Sequence, residues 1–340
     1  MISKDARLQT FGLLMVPAFV GHAIQLLGED TPWAPHAWAR YWIEPGWHLF
    51  LHPSIPSAIG VALAGAVVGL AIRRTRPWVL AIAALYWLHY LTYPYRIRNH
   101  MTHMLATLTM VGGVWLIGWA WERGGSEPRG PRPRLVDRHA VDGAALVLCI
   151  TYFFAGFHKI NDNFLSIGAS SHAVNAMVDF WRYGDLGHMP PSWMQALAPW
   201  GTVVVECTVP IVAWRFARLR VPAILTLLAF HFPMISTMNV SDYPMITFMS
   251  YPLLFTRGHF RILSRHLFRL SRPNVAGAAI GVALQIWFIP WWGALTIFGL
   301  LVMALYGWSA GAMLEMVITR RRRASGRSSS AGRRAGRARS

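Results

Sequence analysis

Apolar runs long enough to cross a bilayer recur from one end of this chain to the other, and the arginines fall mostly between them. A hydrocarbon core about 30 Å thick takes roughly 17–25 helical residues to cross. In lipid, backbone groups find partners only within helices or closed barrels. The runs are continuous rather than alternating, which selects helices. Ten of them can be placed, at roughly 8–28, 55–72, 77–95, 101–121, 140–157, 194–214, 221–238, 243–256, 274–289 and 291–316. The eighth is short for a full crossing and contains Pro244 and Pro252. Only 14% of the 340 residues are charged, against about 25% in a soluble domain. The expected fold class is an all-α integral membrane protein, a polytopic bundle of about ten transmembrane helices with short interfacial helices in the outer loops.

The arginines set the expected topology. Arg73, Arg74 and Arg76 follow the second run, and Arg123, Arg129, Arg132, Arg134 and Arg138 follow the fourth. Arg215, Arg218 and Arg220 follow the sixth, five more follow the eighth, and nine follow the tenth. The alternate loops are poor in Lys and Arg, so the positive-inside rule puts both termini in the cytoplasm and the chain in an inner or plasma membrane. Lys4 and Arg7 precede an apolar stretch without a small-residue cleavage site, which reads as a first membrane helix rather than a signal peptide. The domain layout is then 1–121 for helices one to four, 122–139 for a basic cytoplasmic linker, 140–318 for helices five to ten, and 319–340 for a disordered basic tail. That Arg/Ser/Gly/Ala tail reads as a topology anchor that touches anionic lipid. Nucleic acid is not the expected partner. Cys149 and Cys207 fall within apolar runs and read as buried thiols, not as a disulfide framework.

Ionisable residues inside a bilayer are costly and usually face a cavity or one another. On this topology eleven of the fourteen histidines map to the outer loops or the outer halves of the runs. His22, His89 and His231 lie about 10 Å below the outer surface at about 1.5 Å per residue. His100 and His103 open the fourth run from that side, and His158 and Lys159 close the fifth. An outward-opening polar chamber is the expectation. Lys159 reads either as a lysine snorkelling at a helix end or as a partly desolvated base. Gly156 would permit close approach of a helix or a substrate at that point. Glu206 lies near the middle of its run and calls for a partner or a proton-carrying role. Arg98 and Asn99 stand close enough to His100 to bind an anionic or carbonyl group. His48 and His52 have the i, i+4 spacing of a metal pair, but no acidic residue or cysteine has matching spacing, so no metal site is assigned. In the outer loops, Ala173 to Arg182 carries Val174, Met177, Val178 and Trp181 on one helical face. Trp33, Trp38, Trp42 and Trp47 would anchor at headgroup level.

The segment Tyr152-Phe153-Phe154-Ala155-Gly156-Phe157-His158-Lys159-Ile160 resembles the "YF-AG-KKL" stretch of the vitamin K-dependent γ-glutamyl carboxylase and its bacterial relatives, the HTTM membrane-domain family. Arg98-Asn99-His100 is similar to that family's Asn-His at a helix start. Ala229-Phe230-His231-Phe232, with Met238-Asn239 and the apolar Tyr243 to Phe255, is similar to its "FH" helix and the stretch beyond. Order and spacing agree over about residues 80–260. His158 stands where the family carries a lysine, and Asn161-Asp162-Asn163-Phe164 replaces its Asp-x-Asp-Trp type.

The resemblance implies a quinol-handling membrane domain facing outward. Lys159 would be the base that deprotonates a reduced quinone, and His100 and His231 would shuttle protons or bind the quinone oxygen. Asn99 would position the ligand, with Arg98, His158 and Glu206 lining its site. A reduced, vitamin K-like quinone is the implied cofactor. The lipid bilayer and a separately encoded extracytoplasmic domain are the implied partners. Carboxylation itself does not follow from likeness of the membrane domain. The alternative is a non-enzyme, a transporter or an immunity or partner protein, in which the same residues form a hydrogen-bond network or a proton path.

Overall fold

The computed structural model describes residues 5–27, 54–73, 76–92, 99–124, 133–165, 174, 175, 177, 178, 181, 190–237, 242–288 and 297–337. Among these there are helices and connecting turns and no strand. In chain order the helices are α1 (Ala6–Leu27), α2 (Ser54–Arg73), α3 (Arg76–Thr92), α4 (Asn99–Gly124), α5 (Pro133–Phe157) and α6 (Asp162–Leu165). Then come α7 (Ser192–Arg215), α8 (Arg220–Thr237), α9 (Asp242–Leu254), α10 (Arg257–Leu267), α11 (Arg272–Phe288) and α12 (Ile297–Arg337). Each of the ten apolar runs falls on a helix. Among the described residues three stretches are long and apolar enough to cross a membrane: Val136–Phe157, Ser192–Arg215 and Gly299–Thr319. Large apolar side chains such as Val61, Ile72, Ile117, Ile280 and Trp287 stand exposed on the outside of the helices, an apolar surface of the kind that marks a membrane or partner face.

Two boundaries differ from expectation. The linker 122–139 is half helix, because α5 begins at Pro133. Proline suits a first helical position, where its missing N–H costs nothing, and Val136 and Asp137 are already buried. The tail expected to be disordered continues α12 as far as Arg337, a stretch in which arginine and alanine are strong helix formers. The outer-loop segment is helical at Val174, Asn175, Met177, Val178 and Trp181, with Val174 buried. The tryptophan-rich loop, with His48 and His52, lies outside the described residues, as do Lys4, His22 and Arg98 for any side-chain statement.

The helices enclose two apolar cores. One gathers Phe11, Leu63, Ile82, Leu108 and Val141 from α1 to α5. The other gathers Leu148, Tyr152, Leu227, Phe260 and Met313 from α5, α8, α10 and α12. The short α9 joins them, giving Met249 and Leu253 to the first and Phe248, Tyr251 and Leu254 to the second. Every residue from 247 to 255 is buried. The segment read as a truncated crossing is the hub of the fold, packed on α1, α4, α5, α7 and α8.

Several arginines that count as flanking charges in the sequence are partnered inside the protein. Arg7 is 5% exposed. Its Nε and Nη2 donate to the Asp5 carboxylate at 3.0 and 2.8 Å, and its Nη1 donates to the Phe255 carbonyl at 2.9 Å. This ties the start of α1 to the end of α9. Arg220 is equally buried and donates to the Ala213 and Trp214 carbonyls, both at 2.7 Å, capping the end of α7. Arg76 pairs with Asp137 at 3.0 Å and lies over the Trp115 ring.

The Asp5–Arg7 pair has a pH signature. Burial alone would push the Asp5 carboxyl up, but the hydrogen bonds and charge of Arg7, helped by Arg257, hold it below the ordinary carboxylate range. A depressed carboxylate stabilises the fold above its unfolded value of about 3.9 and loses that contribution as pH falls through the lower folded value. Melting temperatures of wild type and Asp5→Asn in detergent are therefore expected to differ most above about pH 4 and to converge in stronger acid. A difference that grew on acidification would contradict the pairing.

Candidate functional site

The fifth apolar helix ends where the sequence places its lysine. After Phe157 the backbone tightens into three-residue turns, with the Lys159 N–H donating to the Gly156 carbonyl at 3.0 Å and Ile160 to Phe157 at 3.0 Å. Asn161 then opens α6, accepting from the Phe164 N–H at 3.0 Å through its side chain and donating to the His158 carbonyl at 2.8 Å. The Lys159 ammonium folds back to donate to the Ala155 carbonyl at 3.1 Å, filling one of the acceptors a helix end leaves open. Its other partner is the Glu206 carboxylate, in a hydrogen-bonded ion pair. Glu206 is 2% exposed, whereas the lysine side chain keeps 28% of its surface open.

Glycine makes this meeting possible. A Cβ on Gly156 would lie 2.6 Å from the Cys207 Sγ, 3.0 Å from the Glu206 Cβ and 3.2 Å from the Cys207 backbone nitrogen. The flank of α5 therefore lies directly on the turn of α7 that carries the carboxylate. Glu206 is fourteen residues into α7, about 21 Å from its start. The end of α5 thus meets the middle of α7, and the N-terminal turns of α7 run on past Lys159.

Two turns back on the same face of α5, Tyr152 is buried in a second polar group. Its hydroxyl is 3.1 Å from His231 Nε2 and 3.0 Å from the Tyr251 hydroxyl, which in turn is 3.0 Å from His231 Nδ1. Both ring nitrogens of a fully buried histidine are thereby satisfied by phenols from different helices. Residues seven apart on a helix lie about 10.5 Å apart along its axis. The two polar groups form successive layers between α5, α7, α8 and α9.

Of the residues named from sequence, Lys159 and Glu206 come together and His231 lies beneath them. His158 is exposed, its ring 6.1 Å from that of Phe154, and it enters the turn through its backbone, the N–H donating to the Phe154 carbonyl at 2.9 Å and the carbonyl accepting from Asn161. Asn99 and His100 begin α4, but their side chains lie outside the described residues, and Arg98 lies outside them altogether. Tyr152 opens the segment that carries the family resemblance and Tyr251 falls in the apolar stretch Tyr243 to Phe255, but the resemblance gives neither a role; the seven-residue spacing of Tyr152 from Lys159 is the further signal in the sequence. Cys149 is buried and Cys207 partly buried, both free, with Cys207 Sγ donating to the Phe153 carbonyl at 3.6 Å.

The arrangement is suited to proton handling. A carboxylate out of water accepts a proton readily once its counter-charge is disturbed, and only the lysine end of the pair is reachable from outside. The Phe164 ring lies 5.8 Å from Lys159 Nζ, while Phe153, Phe154 and Phe157 stand exposed on other faces of α5. Phe153 and Phe157 stack with centroids 6.0 Å apart. The chain matches no protein-family model, no curated protein and no solved structure.

Proposed function

We propose that this chain is a ten-crossing inner-membrane protein of the HTTM type, with cytoplasmic termini, that binds a lipophilic protic molecule at its outer face. A quinol is the ligand class that fits best. The observation that carries the reading is the asymmetry of the ion pair: the carboxylate is sealed, while the ammonium keeps one side open, with the Phe164 ring beside it. Lys159 supplies a donor for a ring oxygen, and Phe164 an apolar wall beside it. A quinol contributes acidic hydroxyl protons, and Glu206 is the group that takes one up, with Lys159 holding the charge balance. His231, being fully buried, acts through the Tyr152 and Tyr251 hydroxyls and not by touching the ligand. Asn99, His100, Arg98 and His158 keep, in this reading, the ligand-binding roles that the resemblance implies. Chemistry on a protein glutamate would require a separately encoded extracytoplasmic domain.

The test is quinol-dependent oxygen uptake in proteoliposomes. Wild type is expected to turn over, and Lys159→Ala and Glu206→Gln to fall at least tenfold while still eluting as folded protein, as expected for loss of a positioned acid–base group. Unchanged rates in both variants would end the enzyme reading. A wild type inert toward every quinol tried would favour the alternative, a transporter or partner protein in which the buried Tyr152–His231–Tyr251 group is a proton path.

A further inference from the structure

A cavity of about 190 Å³ lies beneath the amphipathic helix α10. Its walls include Leu14 of α1, Phe248 and Tyr251 of α9, Leu263 of α10, and Leu305 and Trp308 of α12. They present almost nothing but carbon, since the Trp308 N–H is already spent on the Leu267 carbonyl at 2.7 Å. An apolar cavity of about 150 Å³ stays dry and takes a benzene ring, so water is a poor occupant and hydrocarbon a good one. Phe268 lines the cavity and is 66% exposed, which sets the mouth at the C-terminal end of α10.

The rim has the opposite character. From Thr256 to Arg272 there are five arginines, two histidines and no acidic residue. Thr256 caps the helix, Phe260 and Leu263 turn inward and are buried, and Arg257, Arg261 and Arg265 recur every fourth residue on the exposed face. Arg269 and Arg272 extend the exposed stripe past the mouth. The carboxylates facing this region are Asp5, already committed to Arg7, and Glu315, which faces His266 at 3.4 Å. Behind the mouth Asn274 donates to the His266 and Arg269 carbonyls at 2.7 and 2.9 Å, fixing the end of α10.

We infer that this is a binding site for an anionic phospholipid, a stretch of one acyl chain lying in the cavity under α10 and the phosphate held by the arginines at its rim. The inference rests on the chain being embedded in a membrane, on whose cytoplasmic side α10 would lie. A dry slot and a cationic rim meet at one helix, as the two ends of a lipid do. Exposed arginines alone would attract any anionic surface; the cavity makes the site specific for a molecule that carries a chain.

The experiment uses the full chain purified in detergent, with dioleoylphosphatidylglycerol and dioleoylphosphatidylcholine as probes, read by native mass spectrometry. Wild type is expected to retain one phosphatidylglycerol through delipidation, at least tenfold in preference to phosphatidylcholine. Leu305→Trp, which fills the cavity, and the combined Arg261→Gln, Arg265→Gln and Arg269→Gln variant should each lower retention about tenfold. If Leu305→Trp unfolds, the smaller filling Leu14→Phe decides. Equal retention of the two lipids would overturn the proposal, as would undiminished retention in a cavity-filled variant that melts like wild type. A chain that stays soluble and monodisperse without detergent would instead overturn the membrane reading on which the proposal stands.

Discussion

Replacing Gly307 by leucine is expected to drive α11 and α12 apart and to destabilise the protein severely. The two helices run antiparallel with their backbones in contact. A Cβ on Gly277 would strike the Gly307 carbonyl oxygen, and one on Gly307 would strike that of Gly277. Gly281 meets the Met303 carbonyl and Gly311 that of Pro273 in the same way. Each helix thus carries glycines four residues apart, the small-residue pattern that lets membrane helices approach closely. What a new side chain would meet is main chain, which has no rotamer to yield. The loss should therefore exceed the about 1–3 kcal/mol of ordinary overpacking. Thermal unfolding in detergent measures it. Gly65→Ala and Gly201→Ala are the controls, because a Cβ there meets nothing within 4 Å. They should be neutral or gain up to about 1 kcal/mol from helix propensity. A Gly307→Leu protein that melts with wild type would refute this packing.

The second large effect is a non-additive one. Lys159→Met leaves the Glu206 carboxylate sealed without its partner, which should cost on the order of 3–5 kcal/mol, whereas removing both charges with apolar residues is often close to neutral. The double variant Lys159→Met/Glu206→Leu is therefore expected to be more stable than Lys159→Met alone. A double-variant cycle on melting measures the coupling, which should exceed about 1 kcal/mol. Strictly additive single costs would mean that the two groups do not form a pair.

The positions of the helices were legible because hydrophobicity is local: ten apolar runs fall on ten helices. What each helix touches was not. Lys159 and Glu206 were both visible as costly residues, but 47 positions separate them, and no pattern in either helix states how far α5 slides along α7. Gly156 was the nearest thing to a clue, and a glycine does not name its neighbour. Arginine counting treats every guanidinium as a solvated charge, and so read Arg220 as a topology marker when it is buried on backbone carbonyls; Arg7, in the sequence only a charge ahead of the first apolar stretch, is buried on Asp5 and the Phe255 carbonyl. The eighth run stands out only by its shortness. Its burial on every side follows from tertiary packing, to which a hydropathy window is blind. The four-residue glycine spacing of α11 and α12 was present in the letters and needed the partner helix to acquire meaning.

That buried α9 bears on how the protein is made. At thirteen residues it is about 20 Å long, short of the bilayer's hydrocarbon thickness, and lipid offers its end groups no hydrogen bonds. Most of its seat is built by α1, α4, α5, α7 and α8, all synthesised earlier, with Tyr306 of the later α12 reaching Phe248 at 4.9 Å between ring centroids, and the Phe255 carbonyl just beyond it is met by Arg7 near the chain's beginning. On the proposed ten-crossing topology, the translocon would therefore release a segment that holds no place of its own in lipid until it docks, for the most part, into helices already waiting. Biogenesis of this protein would pause on an assembly step, and a chaperone or a lesion acting on α1 would be felt more than two hundred residues later.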